Sequence, residues 1–203
     1  MDEPEPREIP KLESYAYRAF ISYSHRDQDV AKRLHRALES YRIPAKLVGK
    51  ETAVGKVPRR LRPIFRDREE LPASGDLSAE LSAAIRQSQF LIVICSPSAA
   101  RSRWVNEEIL QFKRFHGDNR VLALVVDGEP NPGSHGGVSS QECFPEALRF
   151  HMGADGHLSD EPAEPIAADY RREADGTRLA IQKLIAGLTG LKLDELVRRE
   201  AQR

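Results

Sequence analysis

Short apolar runs alternate with amphipathic stretches along most of this chain. "YRAFISY" (17–23), "LRPIF" (61–65), "FLIVICS" (90–96), "RVLALVVDG" (120–128) and "EPIAADY" (164–170) have the character of strands. The third and fourth are apolar without a break, as expected of strands covered on both faces. Pro63 lacks an N–H for a ladder, which pushes the second toward a sheet edge.

The stretches between these runs carry the helical period. Ser24 and Asp27 have capping-box spacing, and the helix that follows sets Val30, Leu34, Ala37, Leu38 and Tyr41 on one face. Further helices are expected over "SAELSAAIRQS", "RWVNEEIL", the short "FPEALRF", and from residue 176 onward with interruptions at Gly187 and Gly190. Residues 42–60 and 129–143 hold prolines and glycines without a sustained period, the pattern of loops. Strand and helix thus alternate from end to end. The predicted fold is α/β: a flavodoxin-like five-stranded parallel sheet in the order 2-1-3-4-5, flanked by helices. In such sheets ligands bind at the carboxyl ends of the strands where the order reverses, between strands one and three. That rule singles out Ser24 and His25 after the first strand, and Ser96 with the "RWVNEEIL" helix after the third.

The helix wheel then separates two adjacent glutamates. At about 100° per residue from Trp104, Val105, Ile109 and Phe112 cluster around a core-facing stripe, Glu108 lies beside Trp104 on its shoulder, and Glu107 points well away. Glu108 is therefore the carboxylate expected to line a cleft.

Composition narrows the alternatives. With 31 basic and 31 acidic side chains the net charge is zero, so no global field favours nucleic acid or an anionic membrane. The exception is residues 42–68, where nine basic residues face two acidic ones, a stretch able to steer an anion. No apolar stretch approaches the roughly 18 residues of a membrane span. The acidic, proline-rich start is unlike a signal peptide, and a soluble cytoplasmic chain is expected. Cys95 in the apolar run and Cys143 in a polar loop form neither a disulfide framework nor a metal-ligand spacing, and no metal is expected. A phosphoacceptor receiver of the same architecture needs an aspartate at the end of the third strand, where this chain has Cys95 and Ser96. His116 and His135 have no partner spacing. One domain of ordinary size is expected over 15–188, after a disordered tail (1–14) and before a C-terminal helical extension (189–203) leading to a possible further domain.

"AFISYSHRD", "RPIFRDREELPASGDL", "FLIVICSPSAARSRWVNEEI" and "VLALVVDG" resemble, in order and spacing, the successive blocks of a Toll/interleukin-1 receptor (TIR) domain of bacterial type. The resemblance is close over residues 17–128 and extends weakly to about 188. It implies one of two activities. Many bacterial and plant TIR domains cleave NAD at the nicotinamide–ribose bond as glycohydrolases or cyclases, with a catalytic glutamate in a Trp-x-x-x-Glu pattern matched here by Trp104 and Glu108. NAD is then the substrate, no cofactor is required, and Ser24, His25, Ser96 and Trp104 are the implied substrate-binding residues. Arginines that follow the "ISY" block in animal relatives are replaced here by Ser24 and His25, leaving Arg66 and Arg68 as candidates for the phosphates. Other TIR domains are non-catalytic assembly modules acting through the loop after the second strand, here Arg66, Asp67, Pro72, Gly75 and Asp76. The Phe-Trp pair near the last helix of many animal members is absent. Self-association is implied under both readings.

Overall fold

The computed structural model describes residues 15–66, 77–131 and 139–201. The expectations for the tail at 1–14 and for Asp67, Arg68, Pro72, Gly75, Asp76 and His135 lie outside the described residues.

The main sheet comprises β1 (Tyr17–Ser22), β2 (Ile64–Phe65), β3 (Ser88–Cys95), β4 (Val121–Val125) and β5 (Ala167–Asp169). The spatial order is β2-β1-β3-β4-β5 and every pairing is parallel, the 2-1-3-4-5 arrangement expected from the sequence. Helices cover both faces: α1 (Gln28–Ser40), α2 (Leu77–Arg86), α3 (Pro97–Ala100), α4 (Arg103–His116), α5 (Glu146–Arg149), α6 (Gly176–Thr189) and α7 (Leu193–Ala201).

β3 explains the unbroken apolar run. Phe90, Ile92 and Ile94 pack into one core with α1 and α6, while Leu91, Val93 and Cys95 pack into a second core with α2, α4 and α5. Successive side chains leave opposite faces of a strand, so a centre strand with helices on both sides needs apolar residues at every position. β1 divides the same way. Ala19 and Ile21 face α1, whereas Phe20 faces the α4 side and stacks on Phe65 with ring centroids 5.1 Å apart.

Tertiary contacts overrule the sequence expectations at several points. No capping box forms: a 3-10 turn at His25–Asp27 precedes α1, Ser24 makes no side-chain cap bond, and the Asp27 carboxylate is engaged elsewhere. Residues 42–60 are not wholly loop, because Glu51–Thr52 and Gly55–Lys56 form a small hairpin. Thr52 Oγ1 from that hairpin donates to the Thr189 carbonyl at 2.7 Å, tying it to the end of α6. Gly187 does not interrupt α6. It lies inside the helix, where a Cβ would come within 3.1 Å of Leu122, so its role is close approach to β4. Gly190 does end it, with φ +69° in the left-handed region. A second hairpin, Phe150–Met152 with Leu158–Pro162, had no sequence signal and is held against α4 by the buried Lys113, whose Nζ donates to the Phe150 carbonyl at 2.8 Å and pairs with Asp118 at 2.7 Å. Cys143 lies in the loop before α5, as its sequence context suggested, but is fully buried there. Burial pushes its thiol up to about 12, with Glu142 adding repulsion, so little of it is thiolate at neutral pH.

Candidate active site

Parallel strands end together, and their carboxyl ends deliver the site. β1 ends at Ser22, and the chain turns through Tyr23, Ser24 and His25 into α1. β3 ends at Cys95, α3 follows, and Ser102 then caps α4 by accepting from the Val105 N–H at 3.3 Å. That cap fixes the first turn of α4, so Trp104 and Glu108 emerge one turn apart on the side facing the β1 turn.

Between these segments lies a cavity of about 350 Å³, within the usual range of small-molecule sites, ~300–1,000 Å³. Ser24, His25, Arg66, Trp104 and Glu108 all line it, over a floor that includes Phe20 and Ile21. Five residues singled out from the sequence thus converge from three segments. Trp104 is 66% exposed, so it lines the cavity without packing into the core. Glu107 is exposed and does not line the cavity, while the half-buried Glu108 does.

Ser22 was not anticipated. It is 1% exposed, and its Oγ donates to Glu108 Oε2 at 2.5 Å, joining the end of β1 to α4. The available signal was parity: Ser22 leaves the strand on the same face as Phe20, the face that α4 covers. Gln28 and Ser102 also line the cavity and had not been singled out.

Ser96 stands apart from the cavity lining. Its hydroxyl accepts from the Ala99 N–H, capping α3, and donates to Asp27 Oδ2 at 2.6 Å. This placement has a simple cause: a serine at a strand-to-helix junction caps the helix that follows it. Burial holds the half-buried Asp27 carboxyl above the usual carboxylate range, the Ser96 bond pulls the other way, and Asp127 adds repulsion. The folded chain therefore keeps this proton to higher pH than the unfolded chain. The associated stability is present below the unfolded pKa and is lost as pH rises through the folded one. Asp27→Asn keeps an acceptor for Ser96 and is expected to be more stable than wild type at pH 7. The advantage should vanish near pH 4, about the ordinary carboxylate pKa. Urea midpoints at the two pH values check this, and a difference independent of pH overturns it.

Residues 19–146 match the family model of the TIR domain. The chain belongs to the TIR domain family. This TIR domain is similar to the NAD(+) hydrolase ApTIR of an Actinoplanes species, with 31% identity over 184 residues that take in 89% of the chain. It spans only 24% of that relative's length. Among solved structures it is similar to the TIR domains of the activated Roq1 resistosome directly recognizing the pathogen effector XopQ, at 23% identity and TM-score 0.44, covering 62% of this chain and 66% of the other. Among the described residues of this TIR domain, no three or more His, Cys, Asp or Glu side chains are grouped to hold a metal ion, and no helix is long and apolar enough to cross a membrane.

Proposed function

We propose that this TIR domain cleaves NAD at the nicotinamide–ribose bond, with Glu108 as the catalytic carboxylate. The observation that carries the reading is the convergence of Glu108, Trp104, His25 and Arg66 on one cavity at the carboxyl ends of β1 and β3. The similarity to an NAD(+) hydrolase supports it.

The chemistry suits this set of residues. Nicotinamide in NAD is a cationic leaving group and departs neutral, so no strong general acid is needed. The developing positive charge passes to the ribose as an oxocarbenium-like centre. An ionised carboxylate beside that centre stabilises it and accepts hydrogen bonds from the ribose hydroxyls, as carboxylates do in glycosidases. Trp104 supplies a flat wall for a planar ring. Arg66 and the backbone N–H groups of the Ser24–His25 turn supply donors for the ribose or the phosphates. Water as the nucleophile gives ADP-ribose, and attack from within the same ADP-ribose gives a cyclic product. Neither product requires a metal or a further cofactor.

Self-association belongs to the same proposal. Arg66 lines the cavity, and the sequence that follows it, with Asp67, Pro72, Gly75 and Asp76, is the stretch through which a neighbouring copy would complete the cleft. Nicotinamide release by the purified chain, followed at rising protein concentration and with a crowding agent, tests this. Release that rises more steeply than linearly with concentration is the expected result. Self-association with no release under any of these conditions replaces the enzyme reading with that of a non-catalytic interaction module.

A further inference from the structure

We propose that Ser22 is a positioning residue for Glu108, holding its carboxylate in the orientation that faces the cavity. The inference rests on the reading of Glu108 given above and extends it to a residue outside the substrate's reach.

The argument starts from the helix. α4 is anchored by Val105, Ile109 and Phe112, all fully buried, which fixes the backbone at Glu108. It does not fix the carboxylate. A glutamate has three side-chain torsions, and the last is broad and nearly two-fold, so a residue on the shoulder of a helix samples several orientations unless something holds the head group. Ser22 does so from the opposite side. It is the last residue of β1 and lies in the parallel ladder, with Val93 of β3 as its register partner, so its own backbone is held by the centre of the sheet. Its side chain is 1% exposed, so water competes poorly for the hydroxyl. An ionised carboxylate has no proton to give, so the hydroxyl donates, and a 2.5 Å contact to Oε2 is of the short, charge-assisted kind. The carboxylate is thus held between the end of an interior strand and a helix anchored in the core, and small misplacements of a reacting group are costly.

Ser22→Ala removes the hydroxyl with almost no change in volume and leaves the strand intact. The expected result is a fall in kcat of ~10²-fold with KM nearly unchanged, a thermal midpoint close to wild type, and substantial recovery of kcat in Ser22→Thr, which restores the hydroxyl on a strand-compatible side chain. High-resolution crystal structures of wild type and Ser22→Ala provide a readout independent of activity. One Glu108 conformer in the wild type and several, or a swung carboxylate, in the variant support the proposal. An unmoved Glu108 carboxylate in Ser22→Ala overturns it, as does a kcat within twofold of wild type in an active enzyme. If the wild type itself releases no nicotinamide, the enzyme reading falls while the positioning claim is still decided by the Glu108 conformation.

Discussion

Glu108→Gln is expected to lower nicotinamide release from NAD by about 10²–10³-fold, while Glu107→Ala stays close to wild type. The two positions are adjacent in sequence and on the same helix, so the pair isolates direction. Glu108 lines the cavity and accepts from Ser22, whereas Glu107 is exposed on another side of α4. Glutamine preserves shape and an oxygen acceptor but removes the charge that, in the proposed reaction, stabilises the oxocarbenium-like ribose. Its effect therefore measures electrostatic stabilisation and not packing. Initial rates, paired with thermal melts showing both variants folded, check the prediction. Equal losses in the two variants would point to damage to α4 as a whole, and no loss in either would remove Glu108 from the chemistry.

Phe65→Ala is expected to be a strongly damaging core truncation next to the site, costing about 3–5 kcal/mol. Its ring is 1% exposed, stacks on Phe20 and meets Tyr17 edge-on at 5.2 Å. β2 is only two residues long, so Phe65 supplies half of that strand's side chains and little backbone pairing compensates for its loss. Against a typical total of about 5–15 kcal/mol, that loss removes a large fraction of the domain's stability. Because Phe20 forms part of the cavity floor and Arg66 follows Phe65 directly, the damage should also reach the site. A urea midpoint lower by about 1–3 M is the expected readout. Ile166→Ala, at a side chain 95% exposed, serves as the comparison and should change stability by less than about 0.5 kcal/mol. A cost below about 1 kcal/mol for Phe65→Ala would mean that β2 seats independently of its ring stack.

The sheet could be anticipated because its strands and helices carry local periods. The Phe90–Cys95 run has no polar position to offer to solvent, and the following helix has a single apolar stripe, so both the buried central strand and the preference for Glu108 over Glu107 follow from short-range geometry. The two hairpins could not be anticipated for the converse reason. Glu51–Thr52 is too short to show a period, and its position is set by Thr52 reaching Thr189 and Lys50 pairing with Glu195, contacts spanning more than a hundred residues. Asp27 and Ser96 carried familiar local signatures. Each was diverted to the other once β1 and β3 lay side by side, because a half-buried carboxylate takes the nearest donor available in three dimensions.

For this protein the amino-acid sequence determined the class of fold, through the alternation of strand and helix along the whole chain, and the helix face from which Glu108 projects, through a pattern within a few turns of helix; the strand order was expected by fit to that fold class. Only the tertiary structure decided that Ser22 and Glu108, 86 residues apart, share a hydrogen bond, that Arg66 joins the same cavity, and that Ser96 does not. The physical reason is that hydrogen bonds and cavity walls depend on ångström-scale registration between separate elements. That registration arises from the packing of the two cores against the sheet, which no local pattern encodes.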